Sequence, residues 1–343
     1  SLNYKLTGDI FKYLINLENG MYDVKNDKLL EHSPDYLSTI RIPVIYNPEA
    51  NINVITDWLK DVLGDNDCIQ LAFELFGYCL IPDTTMQKAF MLVGAGSSGK
   101  STFLNVLGNF LGEDNYSSIP LQELSENKFK RAELLGKLVN LFADLDNRDL
   151  KSTSFFKSIV AGDMIDAERK NQNPFKFRPF SRLIYSANDI PNSPDISTAY
   201  YRRWNIMNFD RQFVAGKDEI KGFSDELSKP ENLSALLNCA LFALQKLLRN
   251  QLFTETVKGK ESLENYKKQN DPVRAFVDEC CEFVAEERVE RKDLYDSFCR
   301  YCDESGFKKE ITRNYFYQRL RIFREIKEIR LPKERYFEGI KLL

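Results

Sequence analysis

The chain has 343 residues, enough for two or three domains with packed cores. Its 48 basic and 51 acidic residues give a formal charge of -3, so any nucleic-acid contact requires a local basic patch. The seven cysteines lack the spacing of a disulfide framework, and no apolar run approaches the roughly 18 residues of a membrane helix, so we expect a cytoplasmic protein without membrane contact.

Residues 1–87 are predicted to form a small N-terminal domain of mixed structure. Up to residue 50, short apolar pieces alternate with an Asn19-Gly20 pair and three prolines, which predicts little long helix after the first stretch. Between Asn53 and Leu80 the apolar residues recur at helical spacing. Because the chain begins with Ser1 rather than Met, we expect a fragment of a longer polypeptide, although a processed terminus would look the same.

A buried strand, a glycine-rich loop and a helix are predicted from residue 89 to residue 110. The apolar run Ala89–Val93 has no polar alternation, which is typical of a strand covered on both faces. The loop that follows fits the pattern G-x-x-x-x-G-K-[ST], and apolar residues then continue at helical spacing. The predicted nucleotide-binding residues are Gly94, Ala95, Gly96, Ser97, Ser98, Gly99, Lys100, Ser101 and Thr102.

These residue types suit a nucleotide polyphosphate. Glycines let the loop curl so that successive backbone N–H groups face the phosphates. Lys100 is expected to reach the β- and γ-phosphates, and the Ser101 hydroxyl is expected to bind Mg²⁺. The alternative interpretation is a glycine-rich turn before a helix.

Two aspartates follow the next candidate buried strand, Leu138–Ala143. A carboxylate at the end of such a strand is a candidate Mg²⁺ ligand and a candidate group for polarising water, so Asp144 and Asp146 are predicted catalytic residues and Asp144 a metal ligand. If the strand persists to its end, both side chains point the same way. The alternative is a polar strand end that caps a turn.

A basic, aromatic hairpin is predicted from two short strands, Ile165–Lys170 and Phe175–Arg178, joined by an Asn/Pro turn. Its cations could bind phosphates and its rings could stack on bases, whereas an ordinary solvated hairpin explains the same pattern. The candidate DNA-binding residues are Arg169, Lys170, Lys176 and Arg178.

A third strand, Arg182–Asn188, ends in an amide, and a fourth strand, Asn205–Phe209, follows two arginines. The Asn188 side chain can both donate to a γ-phosphate and accept from a water molecule. Arg202 and Arg203 could neutralise charge in a transition state, including one in a neighbouring subunit, or they could form a surface salt-bridge pair.

Residues 216–270 are predicted to be helical, and residues 271–343 to form a winged-helix domain of three helices and a terminal hairpin. From Lys308 onward, eleven basic residues stand against five glutamates, a local excess that favours nucleic-acid binding. Cys299 and Cys302 have zinc-like spacing, but they fall within an amphipathic helical pattern, where cysteine behaves as a small apolar residue.

Five motifs in order resemble those of the superfamily 3 helicases, in the branch of poxvirus and phage or plasmid primase-helicases. In chain order they read GAGSSGKST, VNLFADLD, GDMIDAERKNQNPFKFRP, RLIYSAND and AYYRRWNIMNF. The resemblance implies an α/β fold, with a P-loop AAA+-like core and parallel sheet over residues 88–215. Two departures are Ser98, where this branch often has Asn, and Leu145, which separates two acids that are adjacent in many relatives.

The resemblance also implies roles and partners. Lys100 and Ser101 would bind ATP and Mg²⁺, Asp144 would be the Walker B acid, Asn188 would sense the nucleotide, and Arg202 or Arg203 would be the arginine finger. Family members form hexameric rings and move 3′-to-5′ on single-stranded DNA, with the hairpin around Lys170 in the central channel. A primase or polymerase domain, if there is one, would lie upstream of Ser1.

Two functions remain open at this stage. The first is an ATP-dependent replicative helicase of a phage, plasmid or mobile element, acting on single-stranded and forked DNA. The second is a DNA-binding replication initiator in which ATP only switches assembly. A P-loop nucleotide kinase is a weaker third, because it explains neither the hairpin nor the basic C-terminal segment.

Overall fold

The computed structural model describes residues 12–214, 216–218, 222–307, 311–330 and 335–343. The chain forms two compact units that divide between Leu263 and Glu264. Within the described ranges, no helix is long and apolar enough to cross a membrane. The turn predicted around Pro332 and three lysines of the basic C-terminal segment, Lys308, Lys309 and Lys333, lie outside the described residues.

The first unit opens with a small antiparallel sheet followed by two helices. The sheet has the order β1-β2-β3, and Glu18 and Asn19 form the two-residue turn between its first two strands, while Gly20 is already the first residue of β2. The predicted helical stretch is confirmed as two helices rather than one, because Asp65 begins the second by accepting from the N–H groups of Asp67 and Cys68. The elements are β1 (Leu14–Leu17), β2 (Gly20–Asp23), β3 (Lys28–Leu30), α1 (Asn53–Leu63) and α2 (Asn66–Tyr78).

The central part of this unit contains strands and helices in alternation. In chain order they are β4 (Ala89–Val93), α3 (Lys100–Leu111), β5 (Tyr116–Ser117), α4 (Leu121–Glu126), α5 (Lys128–Arg131), β6 (Val139–Phe142), α6 (Ser154–Ala161), β7 (Ile165–Ala167), β8 (Phe175–Phe177), β9 (Arg182–Ala187), α7 (Thr198–Tyr201) and β10 (Trp204–Asn208).

Five of these strands form a parallel sheet in the order β10-β4-β9-β6-β5. The first four residues of β4 are fully buried, which confirms the prediction of a strand covered on both faces. Because carboxyl ends of parallel strands meet at one edge, the segments that follow β4, β9 and β6 lie side by side. The phosphate loop, Asn188 and Asp144 therefore share one edge of the sheet.

Three more helices complete the first unit and lead to the second: α8 (Phe223–Leu227), α9 (Pro230–Asn250) and α10 (Val257–Asn270). The leucine-rich helix predicted up to Asn250 is confirmed as α9, and proline starts it at a position where no N–H is needed. It packs closely on α2, since a Cβ on Gly77 would lie 2.3 Å from the Ala240 carbonyl oxygen.

The second unit has its own core and a small antiparallel sheet of order β12-β14-β13. Asp271 begins its first helix by accepting from the N–H of Arg274, so the Asn270-Asp271-Pro272 segment is a helix start. The core is aromatic, with Phe298 and Phe316 stacked at 4.4 Å between ring centroids. The elements are α11 (Pro272–Cys280), β11 (Cys281–Glu282), β12 (Arg288–Glu290), α12 (Arg291–Glu304), α13 (Arg313–Leu320), β13 (Lys327–Arg330), β14 (Arg335–Glu338) and β15 (Lys341–Leu342).

Candidate functional site

The loop between β4 and α3 has the tight curvature that a polyphosphate needs. Ser97 and Gly99 have φ angles of 57° and 91°, in the left-handed region. A Cβ on Gly94 would lie 2.3 Å from the carbonyl oxygen of Phe209, so only glycine fits beside the residue that follows β10. Helix α3 then starts at Lys100, and its free N–H groups face the loop.

The Lys100 ammonium bonds back to this loop and across to the neighbouring strand end. Its Nζ donates to the Ala95 carbonyl oxygen at 2.8 Å, to Ser98 Oγ at 3.3 Å and to Asn188 Oδ1 at 3.2 Å. Burial lowers the pKa of Lys100, and the negative charge of Asp144 acts in the opposite direction. Because these acceptors are uncharged, a phosphate would bind the ammonium more strongly than they do.

The two predicted acidic residues have different surroundings. Strand β6 ends at Phe142, and Asp144 has a φ angle of 51°, so the chain turns before Asp146. The strand therefore does not continue to Asp146, so the condition for the expected common direction is not met. Asp144 is the aspartate whose charge acts on Lys100, whereas the carboxylate of Asp146 accepts from the backbone N–H and from Nε of Arg148, both at 3.1 Å.

The residues present at this edge fit a magnesium ion held together with phosphates. Ser101 is exposed in the first turn of α3, and Asp144 is exposed after β6. One hydroxyl and one carboxylate form a small donor set, which suits Mg²⁺ because this ion takes its remaining ligands from phosphate oxygens and water.

The described residues hold no preformed metal cage. Over these ranges, no three His, Cys, Asp or Glu side chains converge on a possible metal position. Cys299 and Cys302 both lie in α12, as their helical periodicity predicts.

Both arginines lie at the opposite edge of the sheet from the phosphate loop. Strands β10 and β4 are parallel, with Trp204 beside Ala89, so the residues before β10 lie near the start of β4. The five residues of β4 separate the two edges by about 16 Å. Arg202 and Arg203 therefore lie one strand length away from the loop of their own chain.

The two arginines differ in exposure. Arg202 is exposed and donates to Gln87 Oε1 at 2.9 Å. Arg203 is 9% exposed and donates to the Ala199 carbonyl oxygen, and its burial lowers the pKa of its guanidinium, as does the charge of Arg202. Arg202 is thus the more accessible of the two to a neighbouring molecule.

The predicted hairpin is present, with shorter strands than expected. Strands β7 and β8 pair in antiparallel register, with Asp166 beside Lys176. Arg169 and Lys170 are exposed in the loop beyond the strands, and the Arg169 guanidinium lies 5.7 Å from the ring centroid of Phe175. Arg178 lies after β8, where it donates to the Gly162 carbonyl oxygen at 3.2 Å. Three of the four predicted cations therefore lie on the hairpin, and the fourth lies at its base.

One aromatic residue beside the hairpin lies outside the predicted motifs. Phe129 of α5 is 45% exposed and lines a groove of about 550 Å³ together with Arg169 and Lys170. Its signal in the sequence is the run Lys128-Phe129-Lys130-Arg131, an aromatic residue among cations. Such a ring can stack on a nucleobase.

A second missed feature is a cavity of about 570 Å³ next to the phosphate loop. Ser97, Gly99 and Thr102 form one side, and aromatic side chains form others. The segment that carries Phe213 is fixed to the loop by the hydrogen bond from its N–H to the Ser97 carbonyl oxygen, 2.8 Å long. The volume suits a nucleoside. Its lining includes Val54, Trp58, Val62, Phe213 and Phe223, which come from distant parts of the sequence.

The basic residues of the second unit are partly neutralised within the chain. Arg321 pairs with Glu328 at 2.6 Å, Arg313 pairs with Asp296 at 3.8 Å, and Arg319 pairs with Asp271. Among the described residues, five cations of the segment from Lys308 onward form no ion pair within 4.0 Å: Arg324, Lys327, Arg330, Arg335 and Lys341. Arg330 and Arg335 lie opposite each other on β13 and β14. The surplus of positive charge is therefore concentrated on the terminal strands.

Three family models match successive parts of the chain. Residues 4–64 match a model described as D5 N terminal like, and residues 268–335 match one described as Poxvirus D5 protein-like. Residues 92–203, which hold the phosphate loop and both arginines, match DUF5906, a family of unknown function.

A curated relative is the protein named "Putative helicase L207/L206" of Acanthamoeba polyphaga mimivirus, 23% identical over 235 residues. The match covers 65% of this chain and 24% of the mimivirus protein, so the chain spans about a quarter of that relative's length.

Solved structures share the fold. An apo structure of the NrS-1 C-terminal region has a TM-score of 0.55 at 12% identity and covers 87% of this chain and 77% of that one. A second apo structure of the same region has a TM-score of 0.53 at 12% identity, covering 96% and 82%. The poxvirus D5 matches at both ends of the chain, the helicase-named relative and the five motifs between them support a primase-helicase of the superfamily 3 type, and the solved structures share the fold.

Proposed function

We propose that this chain is the motor part of an ATP-dependent replicative DNA helicase of a phage, plasmid or mobile genetic element. One observation carries the proposal: the Lys100 Nζ bonds both to the phosphate loop and to Asn188 Oδ1 at 3.2 Å. The phosphate-binding cation and the predicted nucleotide-sensing amide thus meet at the edge where Asp144 is exposed. The likeness to helicase-related proteins supports the same function.

The nucleotide chemistry follows from these residues. Lys100 would bind the β- and γ-phosphates of ATP in place of its carbonyl partners, and Ser101 and Asp144 would hold Mg²⁺, which would neutralise phosphate charge. Asn188 then donates to the γ-phosphate or orients the attacking water, since an amide can do both. The nucleoside occupies the cavity beside Phe213, because that cavity adjoins the loop at Ser97 and Gly99.

The distance between Arg202 and its own loop supports a ring. An arginine about 16 Å along the sheet from the phosphates can stabilise hydrolysis only if it belongs to the next subunit. We therefore propose a hexamer in which the finger of one protomer completes the site of its neighbour. Arg202 is our choice of finger because it is exposed, and Arg203 is buried against its own chain.

The hairpin is the proposed contact to single-stranded DNA in the channel of this ring, with translocation in the 3′-to-5′ direction. Exposed Arg169, Lys170 and Lys176 supply charge for the phosphates, and Phe129 supplies a ring for a base. Three helices and a three-stranded sheet in the second unit support a winged-helix domain. A host-cytoplasm location belongs to the same proposal.

Hydrolysis and unwinding can be tested together. ATP, Mg²⁺ and forked duplexes with a 3′ or a 5′ tail are added to the protein, and we expect strand displacement on the 3′-tailed fork and hydrolysis stimulated by single-stranded DNA. Lys100→Ala should abolish both, whereas Lys246→Ala, a change of an exposed lysine on α9, should abolish neither. Full DNA-stimulated hydrolysis by Lys100→Ala would overturn the proposal.

The second candidate function is an ATP-switched replication initiator. It is favoured by the cross-strand pair Arg330 and Arg335 on the terminal strands of the second unit, where duplex DNA could bind. It predicts sequence-specific duplex binding without strand displacement. Comparing fork unwinding with origin binding at matched salt separates the two functions.

A further inference from the structure

Helix α4 is attached to the chain segment that leaves the nucleotide site after Asp144. The Gln122 side chain is 4% exposed, and its Nε2 donates to the carbonyl oxygens of Asp146 at 2.9 Å and Arg148 at 3.1 Å. One turn further along, Ser125 Oγ donates to the Ser152 carbonyl oxygen at 2.8 Å. A movement of the segment from Asp146 to Ser152 would therefore move α4 with it.

Helix α5 is attached in the same way to the first strand of the hairpin. The Arg131 guanidinium is 5% exposed and donates from Nε to the Asp166 carbonyl oxygen and from Nη2 to Asp166 Oδ2, both at 2.9 Å. Its Nη1 donates to the Leu124 carbonyl oxygen in α4 at 3.2 Å. One side chain therefore joins α4, α5 and β7.

A second connection lies closer to the tip of the hairpin. The Glu168 N–H donates to the Lys128 carbonyl oxygen at 3.2 Å, and the two side chains form an ion pair. Glu168 immediately precedes Arg169 and Lys170, the exposed cations proposed to contact DNA. The position of those cations thus depends on α5 through two residues, Lys128 and Arg131.

We infer that α4 and α5 connect the nucleotide site to the hairpin, and that Arg131 is the positioning residue that makes the hairpin follow the nucleotide. The inference rests on the proposed function, which places ATP at one end of this connection and DNA at the other. Gln122 bonds the segment after Asp144 to α4, and Arg131 bonds Leu124 of the same helix to Asp166 of the hairpin. Buried hydrogen bonds of this kind hold their partners in one arrangement. The loss of one bond therefore uncouples the hairpin from the nucleotide site.

The test compares three variants of the whole protein with the wild type. Arg131→Met removes the fork of donors, and Gln122→Met removes both bonds to the segment after Asp144. Gln122 Oε1 is buried without a partner among the described residues, so the second change breaks only the two bonds that Nε2 donates to the carbonyl oxygens of Asp146 and Arg148. The matched control is Lys130→Met, next to Arg131 on the same helix, where the lysine pairs with Glu133 one turn away.

The first measurement is the ratio of ATP hydrolysis with saturating oligo(dT) to hydrolysis without DNA. We expect both test variants to keep basal hydrolysis within about twofold of the wild type. Their stimulation ratio should fall about fivefold or more, whereas the ratio of Lys130→Met should equal that of the wild type. Arg131→Lys should restore the ratio only in part, since lysine cannot bond in two directions from a planar fork. A full ratio in both Arg131→Met and Gln122→Met would overturn the inference.

The second measurement does not depend on catalysis. Amide hydrogen exchange in residues 165–177 is followed with and without a non-hydrolysable ATP analogue. In the wild type the analogue should slow exchange in the hairpin, and in Arg131→Met it should not. An equal response in both proteins, or none in the wild type, would overturn the inference. If instead the wild type shows this response but hydrolyses no ATP, the proposed function fails and the inference stands.

A further variant, Asp166→Asn, tests the connection if Arg131→Met does not fold. Asp166→Asn weakens one of the two bonds at an exposed carboxylate and leaves the carbonyl oxygen in place, so it carries little risk to the fold. It should reduce the stimulation ratio in the same direction, by less than Arg131→Met does. An unchanged ratio in a folded Asp166→Asn protein, together with an unchanged one in Gln122→Met, would count against the connection.

Discussion

Lys100 Nζ donates to Asn188 Oδ1 at 3.2 Å, although the two residues are 88 positions apart in the chain. The contact exists because β4 and β9 are neighbours in a parallel sheet, so their carboxyl ends meet. It joins the residue expected to bind phosphate to the residue expected to detect it. A change of nucleotide state at Lys100 would therefore act directly on Asn188.

The first prediction concerns Asn188. Asn188→Ala should lower the rate of ATP hydrolysis about a hundredfold, the usual effect of removing one well-placed polar group from a charged transition state. Nucleotide binding, followed with a fluorescent ATP analogue, should change little because Lys100 and the loop remain. Asn192→Ala, at an exposed amide of the same loop, is the control. Equal loss in both variants would contradict the assignment.

The second prediction separates the two aspartates. Asp144→Asn should reduce hydrolysis by about two orders of magnitude or more, because it removes the carboxylate proposed to hold Mg²⁺. Asp146→Asn should stay within about threefold of the wild type, since that carboxylate bonds to Arg148 and a surface pair of this kind contributes little. Steady-state hydrolysis at saturating Mg²⁺ measures both. The reverse order of effects would show that the chain rearranges at this edge when nucleotide binds.

The third prediction tests catalysis between subunits. Arg202→Ala should lose about a thousandfold in hydrolysis, as loss of an arginine finger does, while it still binds nucleotide. Lys100→Ala is inactive for a different reason. Mixing the two inactive proteins should restore activity, because some interfaces then combine an intact loop with an intact arginine from the neighbour. Absence of any recovery in the mixture, with both proteins still assembling, would contradict action across an interface.

The fourth prediction concerns the cavity beside the loop. Phe213→Ala should weaken binding of the ATP analogue about tenfold, because it removes aromatic surface from the proposed nucleoside position. Binding of inorganic triphosphate should not change, since that ligand lacks a nucleoside. Phe242→Ala, at a ring of α9 that is 67% exposed, is the matched control. Equal weakening for both ligands would mean that the cavity supports the loop and does not bind the nucleoside.

The fifth prediction is a pH dependence of stability at Asp195. Burial alone raises the pKa of Asp195, but hydrogen bonds from Lys157, Ser197 and Thr153 outweigh burial and hold the pKa well below its usual range. A carboxylate with a lowered pKa stabilises the folded chain fully above its unfolded pKa of about 4 and loses this contribution as the pH falls below that value.

Asp195→Asn should therefore lower the melting temperature at pH 7, and the difference from the wild type should shrink as the pH falls below about 4. Thermal unfolding by circular dichroism across this range measures it. A difference that stays constant with pH would mean that shape, and not charge, accounts for the role of Asp195.

Much of the candidate site could be predicted from contiguous residues. The strand, loop and helix around Lys100 are coded within about 20 consecutive residues, because apolar runs, glycines and helical spacing act over short distances. The hairpin and the strand before Asn188 are local in the same sense. The observed strands end one to three residues earlier than predicted. The last residues of a strand depend on the elements that pack beside it.

Two choices could be made only in three dimensions. The sequence names Asp144 as the metal ligand but leaves open which of Asp144 and Asp146 polarises water, and it treats Arg202 and Arg203 alike. The end of β6 at Phe142 and the turn at Asp144 separate the aspartates, and burial against the residues of α7 separates the arginines. Strand ends and burial are set by neighbouring elements, so local patterns do not contain them.

The amino-acid sequence by itself determined the phosphate loop, the order of the motifs and therefore the resemblance to a family, because each motif is a short run of residues whose types follow from its chemistry. Only the tertiary structure decided which side chains share an edge of the sheet, where the cavity lies and how Gln122 and Arg131 link distant segments. The physical reason is that these features arise from contacts between residues tens to more than a hundred positions apart, which the packing of helices on a parallel sheet brings together.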